Sequence, residues 1–187
     1  MKNMKKINQL FLILVFTVTS FNAQAACKLA LEFGENISKL SGKYGPGMPM
    51  QFPEIKMIPI LADEICPNEQ LKDVVIEHRF FNDKLAAVNF VALNDETNSV
   101  SEKLTLMKYV KKVYGNFDTG QNIKAYRGYE VFEKGKYFVV YQKTTGEENI
   151  INEEIYLSTD KYDKLLNIFY SSKEDEQAAD MEKNNES

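Results

Sequence analysis

The only histidine, His78, is the first residue to consider for catalysis. A Ser-His-Asp or Cys-His arrangement needs a histidine that is partly exposed and held by a carboxylate. His78 instead alternates with Val74, Ile76 and Phe80, which places it on the apolar face of a predicted strand. The sequence also lacks a nucleophile elbow, a zinc-protease helix and a phosphate-binding glycine-rich loop. We therefore expect a histidine in the core or at its rim, and no nucleophilic catalysis.

Carboxylates are the other groups that could support a hydrolase. Glycoside hydrolysis needs two of them, about 5 to 10 Å apart across a cleft. Because the spacing of the acidic residues selects no pair, a small carboxylate-based hydrolase is the third interpretation, and we predict that the chain is not an enzyme. The candidate residues are Glu77, Asp83, Glu130, Glu153 and Glu154.

Three methionines, Met48, Met50 and Met57, could bind a soft metal ion. Thioether sulfur suits Cu(I). Methionine also fills irregular gaps at the edge of a core. We favour the packing role and predict neither a metal nor another cofactor.

Aromatic side chains crowd the segment 126–156. In the predicted strand at its centre, Tyr137 and Tyr141 share one face and Phe138 lies on the other, so both faces carry large side chains. One face must cover the core, whereas the other suits recognition, because tyrosine combines an apolar ring with a polar hydroxyl. Cross-strand packing is the alternative. The residues predicted to contact a partner are Tyr129, Tyr137, Tyr141, Tyr156, Met48, Met50 and Phe52.

Residues 1–25 have the pattern of a cleaved signal peptide: a basic start, an apolar run over 10–21 and small residues at 23–25. The apolar run is too short to span a bilayer comfortably. We therefore expect a periplasmic or secreted protein that has no transmembrane segment after processing. A lipoprotein form acylated at Cys27 is disfavoured, because Gln24 stands where such signals usually have leucine.

The two cysteines, Cys27 and Cys66, are predicted to form a disulfide, since an exported chain meets an oxidising compartment.

The formal net charge is −4, and without residues 1–25 it becomes −7, from 20 basic and 27 acidic residues. The segment 172–187 holds six acidic and two basic residues and almost no apolar ones, so we predict a disordered acidic tail. The sequence has no basic stripe to neutralise phosphates, which argues against nucleic-acid binding. A basic protein partner, such as a cell-wall-active enzyme or a toxin, suits this charge.

The first half of the chain shows four segments. Residues 29–33 are typical of a strand, and 37–44 of a helix that ends at Gly45. All five prolines fall within 46–67, which predicts a long irregular connector. The segment 73–93 alternates about Asn82-Asp83 and predicts a β-hairpin.

The second half begins with a capping box at 99–102 and a helix that ends at Gly115. Three strands then follow between 126 and 157, with turns at 133–135 and around Gly146, and they predict an antiparallel meander. Ser158 or Thr159 is expected to cap a final helix. The predicted buried side of that helix consists of Tyr162, Leu165, Leu166 and Phe169.

The two halves show a weak internal repeat. A helix ending in Tyr44-Gly45 precedes the hairpin that turns at Asn82-Asp83, and a helix ending in Tyr114-Gly115 precedes one that turns at Lys134-Gly135. This element order, over about 29–157, resembles small exported α+β modules such as the outer-membrane assembly lipoprotein BamE and the β-lactamase inhibitor protein. The resemblance implies helices packed on an antiparallel sheet and a function exerted through a binding surface.

We therefore predict an α+β fold in which a hairpin and a three-stranded meander form an antiparallel sheet with helices on one face. We expect one compact domain over 26–171, with sub-units 26–97 and 98–171 if the halves are two fused related units. The predicted function is a non-enzymatic exported protein that occludes a protein partner, such as a periplasmic immunity protein or an enzyme inhibitor. An envelope-assembly or stress accessory module is the alternative.

Overall fold

An antiparallel sheet forms the centre of this α+β protein, as predicted. The structure is a computed structural model that describes residues 27, 29–93, 104–146 and 150–185. The predicted signal peptide and the capping box at 99–102 lie outside the described residues. The seven described strands, in the spatial order β1-β2-β3-β4-β7-β6-β5, are β1 (Met48–Pro49), β2 (Ile55–Leu61), β3 (Val74–Phe81), β4 (Lys84–Ala92), β5 (Gly128–Glu133), β6 (Phe138–Thr145) and β7 (Ile151–Ser158). The helices of the described residues are α1 (Ser38–Tyr44), α2 (Ala62–Ile65), α3 (Thr105–Tyr114) and α4 (Asp160–Asn185), and Ile123–Ala125 form a 3₁₀ turn.

The predicted hairpin is confirmed as β3 and β4. Its turn residues Asn82 and Asp83 have φ angles of 48° and 61°, the left-handed conformation that a two-residue hairpin turn requires. One extra residue interrupts the pairing: Phe80 lies opposite Leu85, but Arg79 lies opposite Ala87. Because of this bulge at Ala86, each residue of β4 that follows it points to the face opposite to the one that regular alternation from Leu85 would give.

One face of the sheet, the helix-covered face, carries the main core. It is packed by Leu40 of α1 and by the apolar side of α3, where Leu106 and Val110 are fully buried. His78 lies on this face with 0% of its surface exposed, as its alternation predicts. The core strands contribute Ile58, Ile76, Val88, Phe90, Val139, Tyr141 and Ile155.

The opposite face, the open face, is contacted by α4 at one end. Leu166 and Phe169 of this helix pack with Ile55, Phe81 and Ala87. The helix begins where predicted, because the Thr159 hydroxyl accepts a hydrogen bond from the Tyr162 N–H at 3.3 Å. Three of the four residues predicted to be buried are buried or half-buried, but Leu165 is 38% exposed, on the solvent side of the helix.

The predicted strand at 29–33 is wrong. Leu31 is buried there, but the segment is irregular, and Gly34 adopts a φ of 88°. The Glu32 N–H donates to the Glu35 side chain, and Gly34 donates to the Leu85 carbonyl. The bond to Glu35 is local and takes a backbone group that a ladder would use, and the positive φ of Gly34 turns the chain at the end of the segment, so a strand does not form.

The prediction of an irregular connector over 46–67 is also wrong, since β1, β2 and α2 lie within it. Pro59 sits inside β2, where β3 pairs on one side and the short β1 reaches only Lys56 and Met57 on the other. Its missing N–H therefore falls on an unpaired stretch of the strand edge, the position at which a strand tolerates proline.

The acidic tail, predicted to be disordered from 172 onward, is instead helical through Asn185 as the continuation of α4. Its residues are strong helix formers without glycine or proline, and Lys173 pairs with Glu176 at 2.8 Å. The described side chains of 174–182 are exposed, so this end of α4 is held by its own backbone rather than by packing on the sheet.

The two halves of the fold share one element order. A helix and three antiparallel strands occur as α1 with β2-β3-β4, and again as α3 with β5-β6-β7, and the last strands of the two sets, β4 and β7, pair with each other. The hairpin β3-β4 therefore corresponds to β6-β7. The sequence pattern predicted that the turn at Asn82-Asp83 matches the turn at Lys134-Gly135. The first turn joins the second and third strands of its set, whereas the other joins the first and second strands, so the match is wrong by one strand.

The predicted disulfide is confirmed. Cys27 and Cys66, whose Cα atoms are 5.5 Å apart, join the N-terminal segment to the loop after α2. Acylation of Cys27 would need the same sulfur, so the disulfide and a lipoprotein form exclude each other. None of the described helices is long and apolar enough to cross a membrane.

Replacing both cysteines by serine should lower the free energy of unfolding by about 4 kcal/mol, because the bond closes a loop of 39 residues and restricts the unfolded chain. Urea unfolding of the double variant and of the native protein, both in non-reducing buffer, measures the difference. Equal unfolding midpoints, or two free thiols in the unfolded native protein, would show that the bond is absent.

Candidate functional site

The residues predicted to contact a partner do not form one patch. Tyr141 is fully buried in the core, which removes it from any binding surface. Tyr137 is half-buried on the helix-covered side, with its ring 6.2 Å from that of Phe33. Tyr129 and Tyr156 lie on the open face, and Tyr129 is 70% exposed.

The other three predicted contact residues lie at the opposite edge of the sheet. Met48 is 50% exposed on β1, whereas Met50 and Phe52 are half-buried against α4. Met48 and Met57 are partners in the β1–β2 register. The described residues contain no group of three or more histidine, cysteine or acidic side chains that could hold a metal ion.

A buried polar cluster, made of Tyr141, Lys143 and Glu153, lies beneath α3. The Tyr141 hydroxyl donates to Glu153 Oε1 at 3.0 Å, and Lys143 faces Glu153 in the β6–β7 register. The Lys143 ammonium donates to the carbonyls of Ile123 and Lys124 at 2.6 and 2.9 Å. Each of these polar groups is therefore supplied with partners despite being buried.

Glu153 lies on strand β7 and caps the start of the helix α3. Its carboxylate accepts the N–H groups of Leu106 at 3.3 Å and Met107 at 2.8 Å, which belong to the first turn of the helix. Burial raises the pKa of Glu153, although these N–H groups, the Tyr141 hydroxyl and the Lys143 charge favour its ionised form. The carboxylate therefore serves the fold: its oxygens are used by protein donors and closed off from a substrate.

The other candidate carboxylates are dispersed. Asp83 pairs with Lys56 at the hairpin turn, at 2.7 Å. Glu130, on the helix-covered side of the edge strand β5, accepts from the Tyr126 hydroxyl at 3.4 Å. Glu77 pairs with Arg79 on the open face, and Glu154 lies there too.

The open face carries a continuous strip, the open band, that sequence reasoning did not find. Two neighbouring rows of side chains cross six strands, which span about 24 Å at the usual strand spacing of about 4.8 Å. Its ends are apolar and its centre is polar. The first row is Leu61, Val75, Val91, Glu154, Gln142 and Tyr129, and the second is Pro59, Glu77, Asn89, Tyr156, Val140 and Val131.

Exposure is greatest at the two ends of the open band. Leu61 is 47% exposed at one end, and Tyr129 and Val131 are 70% and 49% exposed at the other. Between them, Val75, Val91 and Val140 are half-buried. Large apolar side chains presented in register on a sheet are a surface to which another protein can dock.

The centre of the open band is a recess of about 250 Å³ around Asn89. The Asn89 amide group donates to Glu154 Oε1, which directs its own oxygen, Oδ1, away from that carboxylate. Asn89 is 1% exposed, and its Oδ1 has no hydrogen-bond partner. The Oδ1 atom is itself closed off from the surface, so the acceptor that the recess offers to a donor from outside is the half-buried Glu154 carboxylate, with Arg79 on the other side of the recess.

The sequence contained a pattern that predicts the β3 residues of this site. Alternation along β3 puts Glu77 and Arg79 on one face. However, a regular two-residue turn at Asn82-Asp83 would place Glu77 opposite Val88, and the bulge at Ala86 moves Asn89 there instead. The contributions of β2 and β7 depend on pairing between distant segments, which local patterns do not specify.

No protein family, curated protein or solved structure matches this chain. The fold and the site alone describe its class: an α+β protein whose antiparallel sheet is covered by α1 and α3 on one face and presents a band of side chains beside α4 on the other.

Replacing Glu153 by alanine should lower the free energy of unfolding by about 3 kcal/mol, because the buried Tyr141 hydroxyl and the first N–H groups of α3 lose their acceptor. Urea unfolding measures this loss. The matched control is Gln142→Ala on the neighbouring strand β6, whose exposed side chain lies on the open face, and it should change stability by less than about 1 kcal/mol. Equal losses in the two variants would contradict the capping role.

His78 should make stability depend on acid pH. Burial lowers its pKa to about 4, and backbone groups of Ile58 and Ile76 oppose this shift only in part. Below about pH 6.5 the unfolded chain binds a proton that the folded state excludes until about pH 4, so His78 destabilises the fold by about 3 kcal/mol as the pH falls through this window.

The variant His78→Leu should lose this contribution. Urea unfolding between pH 7 and pH 4 should show native stability falling more steeply than that of the variant, and all other titrating groups are shared by the two proteins. Parallel pH curves would show that His78 is not held neutral by burial.

Proposed function

We propose that the chain is a non-enzymatic exported protein that binds and occludes a basic protein partner through the open band. The observation that carries this proposal is the open band itself: exposed apolar side chains at its two ends flank a recess that holds the half-buried Glu154 carboxylate. A lysine or arginine side chain of the partner donates to Glu154, and the apolar ends supply contact area.

The charge of the chain supports a basic partner. Acidic residues outnumber basic ones, and the exposed end of α4 carries Glu174, Asp175, Glu176, Asp180 and Glu182. Such a field accelerates the encounter with a positively charged protein. Toxins and cell-wall-active enzymes of basic character are the class of partner that an immunity protein or an inhibitor would occlude.

Two further observations support this proposal. The Cys27–Cys66 disulfide is the type of bond that persists in oxidising compartments. The two sets of one helix and three strands pack α1 and α3 on the helix-covered face, which leaves the open band uncovered by these helices.

The double variant Tyr129→Ser/Val131→Ser should lose the partner, because it removes the most exposed apolar end of the open band. The native protein, immobilised and exposed to the envelope and secreted fractions of its source, should retain one basic protein in stoichiometric amount. After that protein is purified, its affinity for the variant should be at least about tenfold weaker. Association with the native protein should slow as salt is raised.

The matched control is Leu165→Ser/Ile168→Ser on the solvent side of α4, which removes two exposed apolar side chains outside the open band. Its affinity should equal that of the native protein. Equal losses in both variants would reject the open band as the site. Turnover of peptidoglycan or another polymer by the pure protein would instead favour the hydrolase interpretation, and retention of an assembly complex would favour the accessory module.

A further inference from the structure

A second concave site lies on the other side of the sheet from the open band. It is a cavity of about 500 Å³ between the N-terminal segment and the start of β6. The core side chains Phe90 and Leu157 line it, together with Leu31 and Phe33 of the N-terminal segment. Both its size and its apolar lining are those of small-molecule sites, which usually have volumes of about 300 to 1,000 Å³.

Two lysines of the β5–β6 turn, Lys134 and Lys136, give one side of the cavity a positive charge. The Lys134 ammonium is 5.2 Å from the ring centre of Tyr114 and 5.8 Å from that of Phe132, so aromatic rings hold it beside the cavity. One carboxylate, Glu32, also borders the cavity, which leaves a net charge of +1 among the lining side chains.

Tyrosine hydroxyls add neutral donors. Tyr114 and Tyr137 line the cavity, and the Tyr114 hydroxyl interacts with those of Tyr109 and Tyr137. Tyr109 in turn accepts the Cys27 N–H at 2.9 Å. Burial raises the pKa of Tyr109 to about 12 and also raises that of Tyr114, so both hydroxyls keep their protons at neutral pH.

We propose that this cavity binds a small amphiphile that has an apolar chain and one carboxylate head, such as a medium-chain fatty acid. The chain occupies the space between Phe33, Phe90 and Leu157, and the carboxylate lies toward Lys134 and Lys136, where ammonium groups and a tyrosine hydroxyl can donate to it. A neutral head would leave the lysines without an anion, and a cationic head would be repelled by them.

The test is calorimetric titration of the purified protein, its N-terminus established by mass spectrometry, with decanoate, decanol and decylammonium below their aggregation concentrations. Decanoate should bind in a 1:1 ratio and at least about tenfold more tightly than decanol, the difference expected for one charge-assisted contact. Decylammonium should bind more weakly than either.

The double variant Lys134→Gln/Lys136→Gln should lose the preference for decanoate over decanol and keep its fold, because both residues are exposed. The variant Lys164→Gln, at an exposed position of α4 on the other side of the sheet, is the control and should bind like the native protein. Equal affinity for decanoate and decanol, no binding of decanoate, or unchanged decanoate affinity in the double variant would overturn the proposal.

Discussion

Pairing of β4 with β7 is the interaction on which the rest of the structure depends. It joins the last strands of two helix-and-meander sets that are otherwise separate along the chain, from Ala87 opposite Ser158 to Val91 opposite Glu154. Without it, each set would be a three-stranded sheet with an exposed central edge. With it, the core on one face and the open band on the other both run across the whole sheet.

The polar residues on the two faces of this sheet have different environments. On the helix-covered face, Glu153 holds the start of α3, and Lys143 holds the backbone around Ile123. Buried polar networks of this kind specify one arrangement, because any shift leaves a charge without a partner. His78, on the same face, is buried with no hydrogen-bond partner at either ring nitrogen, and burial keeps it neutral at ordinary pH. On the open face, the polar groups of Glu77, Arg79 and Glu154 are paired with one another or with Asn89 and stay accessible.

The polar residues of the sheet divide into enclosed and accessible groups. Two titratable groups whose pKa values burial shifts, His78 and Glu153, are enclosed by core packing and are not accessible to a substrate. The accessible groups, Glu77, Arg79 and Glu154, are held in ion pairs or hydrogen bonds on the open face, where Arg79 and Glu154 line the recess. A band about 24 Å across and a separate cavity are suited to ligands of different sizes.

The sequence alone determined the elements whose signals are local. Asn82-Asp83 placed the hairpin, Ser158 or Thr159 placed the start of α4, and alternation put His78 on the core side of its strand. Alternation did not decide which face of β6 is buried, so Tyr141, predicted as a contact residue, proved to be core. Only the tertiary structure decided the functions of Glu153 and Asn89. Glu153 is a cap because the start of α3, which is distant in the sequence, lies beside it. Asn89 lies in the open band because of the bulge at Ala86 and the β4–β7 pairing. These outcomes depend on long-range register, and one inserted residue reverses which face a side chain occupies.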